Sequence, residues 1–359
     1  MRVRELAEIL NKEIRRKQLE PGSQVDSARK LIKKHNVSFL TANRALDLLT
    51  EKKILYRIQG KGSFVASREH MFSKHITTIG LSFYNYPTLH HSEGGISGFG
   101  QFQNQIVDMI KEKNCNISIV SRAEKKNLEL FNQTIRNTDG LIINKDLVKG
   151  DNIPLLLKYN RPVILMDLPC TRELPFNQVV PDYYSGFTKI IDHLHEIGCD
   201  SVVPVGVHDT EAHNYRRKLF RQTVIEYGSS LDVIEDLTVS LLPNDMGRSS
   251  GQLIGKKYLQ LKKRPAIFAV SDFIAFGILD VLLEKGLKPG KDFKLIGYDN
   301  IEDSGYCPFD KPMLTSLDAN KAELAREIVK LLFEQIGSKD KNIRITKVPV
   351  DKLVIRETT

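Results

Sequence analysis

The chain has 359 residues, 41% hydrophobic and 27% charged, with 53 Lys+Arg against 44 Asp+Glu. That length supports two or three separate cores, and no run of about 18 apolar residues is present to span a bilayer. Four scattered cysteines, Cys115, Cys170, Cys199 and Cys307, include no CxxC pair, so neither a zinc site nor a disulfide framework is indicated.

The excess positive charge is concentrated at one end. Residues 1–70 carry a net +8 and the remaining 289 residues a net +1. This asymmetry suits a polyanion-binding module joined to a nearly neutral body, although a solvated charged face would look the same. The opening "MRVRELAEILNKEIRRK" is amphipathic and holds Glu5, Glu8 and Glu13. It lacks the apolar core of a signal peptide, so a cytoplasmic location is expected.

Leu6, Ile9, Leu10 and Ile14 recur at helical spacing, which predicts a helix over 3–18. Pro21 and Gly22 end it. Ser27 can cap a short helix, "ARKLIKKHN", and Ser38 a third with Ala42, Ala45, Leu46 and Leu49 on one face. "ILYRI" (54–58) and "SFVA" (63–66) then flank Gly60, Lys61 and Gly62 as a β-hairpin. Three helices followed by a hairpin make a winged helix-turn-helix. One helix enters the major groove and the hairpin tip approaches the backbone or minor groove.

The stretch "LEPGSQVDSARKLIKKHNVSFLTANRALDLLTEKKILYRIQGKGSFVA" resembles the DNA-binding domain of the GntR family of bacterial regulators. The resemblance rests on Pro21, Gly22, Ser27, Arg29, Leu31, Val37, Ser38, Thr41, Arg44, Ala45, Leu46, Gly60, Lys61, Gly62, Phe64 and Val65. It implies a DNA-facing surface of Arg29, Ser38, Thr41, Arg44 and the wing tip Gly60, Lys61 and Gly62. Lys61 is expected on phosphate, with Phe64 and Val65 burying the apolar side of the hairpin. Phe39 and Asn43 depart from the family pattern. Phe39 is open between a thymine-methyl contact and packing, and Asn43 can read adenine. An ion pair with Asp47 is the alternative role for Arg44.

Residues 67–75 read as a polar linker. Beyond it, β-branched runs at 77–83, 116–120, 140–144, 162–167, 201–206, 266–270 and 294–299 alternate with amphipathic helices such as 182–197, 214–227, 247–262 and 272–286. Such alternation predicts parallel sheets in two α/β lobes, with ligands bound where the carboxyl ends of the strands meet. The strand ends hold Asn144, Asp167, Ser271 with Asp272, and Asp299 with Asn300. Amides and carboxylates beside a flat apolar wall suit a sugar, and Tyr84, Tyr183 and Tyr184 can form that wall. "GGISGFG" (94–100) does not sit between a strand and a helix as a dinucleotide fingerprint would, and His90-His91 has no third ligand near it.

"PAIFAVSDFIAFGILDVLLEKGLKPGKDFKLIGYDN" and "VVPDYYSGFTKIIDHLHEIGCDSV" are similar to the effector domain of the LacI/GalR regulators, which have the periplasmic-binding-protein fold. The similarity runs over about 76–337. It implies sugar contacts at Asn144, Asp167, Arg216, Ser271 and Asp299, although Ser271 stands where asparagine is common and Leu219 replaces a glycine. The expected architecture is therefore α/β: a winged helix over 1–66, a linker over 67–75, and a two-lobed periplasmic-binding-protein-like domain over 76–359. Lobe 1 is expected over about 76–180 and 305–337, and lobe 2 over about 181–304 and 338–359.

The expected effector contacts are Tyr84, Asn144, Asp167, Tyr183, Arg216, Ser271, Asp272 and Asp299. The function read from these features is a homodimeric repressor that binds double-stranded operator DNA and responds to a monosaccharide. L-fucose and L-arabinose are the sugars that the resemblance to arabinose-type repressors favours. No enzyme activity, cofactor, metal or membrane partner is expected. A transport sugar-binding protein would have no use for residues 1–66. A pyridoxal-phosphate aminotransferase-like body would be larger and would need a Schiff-base lysine in its own context.

Overall fold

The computed structural model describes residues 2–17, 19–52, 54–58, 61–66, 77–82, 98–120, 127–144, 147–148, 150–166, 174–242, 246–336, 338 and 342–359. The chain forms two compact units, Met1–Ile76 and Thr77–Thr359.

The first unit packs helices α1 (Val3–Arg16), α2 (Ala28–His35) and α3 (Phe39–Glu51) against an antiparallel hairpin of β1 (Leu55–Ile58) and β2 (Gly62–Val65). Ser27 caps α2 by accepting from the Lys30 amide, and Ser38 caps α3 by accepting from the Thr41 amide. Leu6, Leu10, Leu31, Ala45, Leu46 and Leu49 form the core with Val65. Residues 22–25 run along the free side of β2, since Gly22 and Val25 donate to the Val65 and Ser63 carbonyls. Phe64 and Val65 do not share the buried side of the wing as expected. Alternate strand residues point to opposite faces. Val65 is in the core, while Phe64 stacks on Tyr56 with ring centroids 5.5 Å apart.

The second unit contains two sheets. The first runs β14-β7-β6-β5-β3-β4, from β3 (Thr78–Ser82), β4 (Asn116–Val120), β5 (Gly140–Asn144), β6 (Val163–Met166), β7 (Asn177–Asp182) and β14 (Ile345–Pro349). All its pairings are parallel. Helices α4 (Gly98–Glu112), α5 (Leu128–Arg136) and α6 (Asn152–Lys158) alternate with these strands, and α11 (Lys321–Gln335) returns to cover them.

The second sheet runs β10-β8-β11-β12-β13-β15, with β9 (Asp232–Val233) beside β8. Its strands are β8 (Ser201–Val207), β10 (Leu237–Val239), β11 (Ala266–Ala269), β12 (Leu295–Tyr298), β13 (Thr315–Leu317) and β15 (Leu353–Val354). Helices α7 (Tyr183–Glu196), α8 (Glu211–Glu226), α9 (Arg248–Tyr258) and α10 (Asp272–Glu284) flank it. Continuous apolar runs such as "AIFA" and "LIGY" are wholly buried here, as strands covered on both faces require.

The chain passes between the sheets three times, at Asp182–Tyr183, between Leu317 and Lys321, and between Pro349 and Leu353. This corrects the expected lobe boundaries. Residues up to Leu317 stay with the second lobe because β13 pairs with β12. Ile345–Pro349 belongs to the first because β14 pairs with β7, and only the segment after it rejoins the second.

Candidate functional site

In the first unit the exposed surface begins at the N-terminus of α3. Ser38 Oγ lies 2.8 Å from Thr41 Oγ1, so the two hydroxyls shape this helix start together. Phe39 and Leu40 follow and are 59% and 58% exposed. Nothing in this unit buries them, so Phe39 is available to an apolar base edge. Arg44 is exposed, and no carboxylate among the described residues pairs with it. Asp47 instead pairs with Arg57 at 2.8 Å, and the Arg57 Nη2 donates to Asn43 Oδ1 at 3.2 Å. Arg29 and Lys61 are exposed as well, and Gly60 lies outside the described residues.

Gly62 has φ +119, and a Cβ there would lie 2.8 Å from the Gln24 side-chain nitrogen. That nitrogen donates to the Lys61 carbonyl at 2.7 Å. The second glycine of the turn is thus required by the wing's own geometry.

In the second unit a cavity of about 40 Å³ lies at the crossings between the lobes, room for only a few waters. Its polar wall is Tyr183, Arg216, Tyr298, Asp299 and Lys321, and Phe102, Leu324 and Ile328 close the apolar side. Tyr183 opens α7 at the first crossing, and Lys321 opens α11 at the second. Arg216 projects from α8 and is 9% exposed. Its guanidinium lies 4.0 Å from the Tyr298 ring centroid, and Nη1 donates to the Val270 carbonyl at 2.9 Å. Burial, reinforced by the Arg216 and Arg217 charges, lowers the neighbouring His213 to about 3, which keeps that imidazole neutral.

Asp299 follows β12 and adopts φ 118, a region that a side chain with a Cβ rarely occupies. Its amide donates to the Leu317 carbonyl at 3.0 Å, and Lys321 Nζ lies 3.8 Å from its carboxylate. The structure therefore brings Tyr183, Arg216 and Asp299 together at one cavity, with Tyr298, Lys321 and Phe102 added. Tyr298 stands directly before Asp299 in "GYDN". Lys321 and Phe102 carry no sequence signal, because each reaches the cavity only through the lobe crossing or the packing of its helix.

Other expected contacts go elsewhere. Asp272 is fully buried and serves as an internal brace, with Oδ2 accepting from the Ile301 amide at 2.9 Å and Oδ1 from Ser316 Oγ at 2.7 Å. Both oxygens are used within the lobe, which corrects its expected ligand role. Ser271 is buried at the start of α10 and is not in the cavity wall. Asn144 is buried at the end of β5, where its backbone N–H donates to Ser82 Oγ, and it too is outside that wall. Tyr184 is 41% exposed and is not in the wall either. Tyr84 and Asp167 lie outside the described residues.

Residues 2–65 match the bacterial regulatory proteins of the gntR family, and residues 191–359 match the periplasmic binding protein-like domain. The chain is 24% identical over 358 residues to the arabinose metabolism transcriptional repressor of Halalkalibacterium halodurans, covering 94% of this chain and 91% of that one. It is 28% identical over 250 residues to the HTH-type transcriptional repressor PurR of Mannheimia succiniciproducens, covering 68% and 70%.

Among solved structures, a LacI family regulator from Enterococcus faecium with bound ribose superposes with a TM-score of 0.61 at 24% identity, over 79% of this chain and 98% of that one. A periplasmic binding protein/LacI regulator from Alkaliphilus metalliredigens complexed with D-xylulofuranose gives 0.59 at 22% identity, over 79% and 99%. These relatives are regulators rather than enzymes, and no described helix is long and apolar enough to cross a membrane. With a gntR-type winged helix over 2–65 ahead of a periplasmic binding protein-like domain over 191–359, the chain has the layout of a DNA-binding transcription regulator.

Proposed function

We propose that the protein is a homodimeric, cytoplasmic repressor of carbohydrate-use genes, released from or held on its operator by a sugar bound between the lobes. The observation that carries this reading is the meeting of Arg216, Asp299, Lys321 and two tyrosine rings in one cavity at the lobe crossings. Charged groups that hydrogen-bond hydroxyls, set beside flat apolar rings, are what a sugar requires. The cavity is small in this arrangement, so a sugar is admitted as the lobes part about the three crossings and is gripped as they close. Binding the two arrangements unequally is what lets the sugar alter operator affinity.

A single winged helix covers one half-site, and pairing two across a pseudo-palindrome supplies the remaining specificity. Arg29, Ser38, Phe39, Thr41, Asn43, Arg44 and the wing residues Gly60, Lys61 and Gly62 form the DNA surface.

L-arabinose and L-fucose are the sugar frames to test first, beside ribose and xylulose. Thermal-shift measurements of the full chain against a panel of pentoses and hexoses and their acid and phosphate derivatives should show stabilisation by at least one member. The same compound should change operator affinity in fluorescence anisotropy. A panel in which no compound does either would refute the reading.

A further inference from the structure

Arg216 and Lys321 come from different lobes and reach the same cavity. Asp299 is the one carboxylate in the described wall, and Lys321 lies 3.8 Å from it. Arg216 feels the Asp299 charge too, but makes no contact ion pair among the described residues, so the described wall holds two cations against one carboxylate. Arg216 is nine-tenths buried, its Nη1 meets the neutral Val270 carbonyl, and its Nε has no hydrogen-bond partner. Among the described residues no carboxylate lies within ion-pair distance of it. Asp272, buried in the same lobe, directs both oxygens to Ile301 and Ser316.

A buried charge is costly without a counter-charge, and the guanidinium fork fits a carboxylate or phosphate edge better than it fits a lone hydroxyl. Tyr298 faces the guanidinium with its ring, which favours the cation but supplies no negative charge to neutralise it.

We infer that the effector is an anionic sugar derivative, a sugar frame bearing one carboxylate or phosphate, whose charge is shared by Arg216 and Lys321 while its hydroxyls face Asp299. This rests on reading the cavity as the effector site. It adds that the anion is the selected feature of the ligand.

The test uses the full chain and matched pairs: D-ribose with D-ribose 5-phosphate, L-arabinose with L-arabinonate, and D-xylulose with D-xylulose 5-phosphate. Affinities are measured by calorimetry, with inorganic phosphate at equal concentration as the control for anions held elsewhere on this basic chain. At least one anionic member should bind tenfold or more tighter than its neutral parent, without inorganic phosphate reproducing the effect. Lys321→Met should remove that preference and Lys321→Arg should keep it, with melting curves reporting that both fold; Lys321→Gln replaces the methionine variant if it does not.

Neutral sugars binding as tightly as their anionic partners would overturn the inference while leaving the sugar reading in place. Binding by no member of any pair, and by no compound of the wider sugar panel, would overturn both. An anion preference that survives Lys321→Met undiminished would show that the charge is not shared with Lys321, and one that inorganic phosphate matches would place the anion outside the cavity; either would overturn the inference.

Discussion

Arg57 on the wing's first strand pairs with Asp47 on α3 at 2.8 Å, which fastens the hairpin to the helix and leaves Arg44 without that partner. The pair is exposed and contributes little stability by itself, about 0–1 kcal/mol. Its consequence is directional, because Asp47 is committed to the wing and the Arg44 charge stays out of that pair. Arg44→Ala should weaken operator binding by about 1–3 kcal/mol, roughly five- to more than a hundredfold. Lys61→Ala should instead reduce the slope of log affinity against log salt by about 0.9, the signature of one lost phosphate contact. Anisotropy titrations at several salt concentrations separate the two effects. Unchanged affinity in Arg44→Ala would remove that residue from the interface.

Gly62→Ala should loosen the wing. At φ +119 a Cβ is strained, and it would also press on the Gln24 amide that holds the Lys61 carbonyl. The cost should be about 1–2 kcal/mol. It should appear as faster amide exchange at Val25 and Val65, whose amides donate to the Ser63 and Ser23 carbonyls in the strand contacts beside the turn. Exchange at the wild-type rate would show that the turn tolerates a side chain.

Much of this architecture was legible in the sequence. Ser27 and Ser38 announced two helix starts, and the apolar spacing of α1 and α3 gave the winged-helix core. The buried strands of the second unit were equally plain as short apolar runs. The lobe boundaries were harder, because pairing between β14 and β7 joins residues far apart in sequence and leaves no local pattern. The site split in the same way. Of the cavity wall, Asp299 was legible as a strand end and Arg216 through family resemblance, while Lys321 enters only because the second crossing delivers the start of α11 to the cavity. Asp272 misled because an acid just after a strand reads alike whether it faces a ligand or braces a turn from within.

The Asp272 brace predicts a pH dependence of stability. Burial first, and the Asp299 charge second, push its carboxyl up to about 7 from the ordinary 3.8. The folded chain therefore holds a proton that the unfolded chain releases near 3.8. Stability from this group is fully present below that value and is lost as the pH rises through about 7. Asp272→Asn removes the titration and suits the site, since its oxygen can accept from Ile301 and its amide can donate to Ser316 Oγ. The variant should be folded and should lose, on the order of a few kcal/mol, the decline in stability between acid and neutral pH. Denaturant unfolding at several pH values is the measurement, and an unchanged profile in the variant would assign the titration to another group.

Asp299 combines two features that a pair of substitutions can separate. Its carboxylate faces the cavity beside Lys321, and its backbone is held at φ 118. A hydrogen bond to a charged group is worth about 1.5–3 kcal/mol, so Asp299→Ala should weaken effector binding roughly ten- to a hundredfold or more. Asp299→Gly should weaken it equally, because both variants lack the carboxylate. Stability should distinguish them. Both lose the contact with Lys321, but only alanine keeps a Cβ in the unfavourable region, so the glycine variant should be more stable by about 1 kcal/mol. Both should bind operator as the wild type does and fail to respond to effector at ordinary concentration. A side chain retained at a strained position for ligand recognition gives this combination, stability recovered by glycine and response recovered by neither. If Asp299 served only the turn, both variants would keep wild-type effector affinity, and calorimetry with the compound identified in the sugar panel would show it.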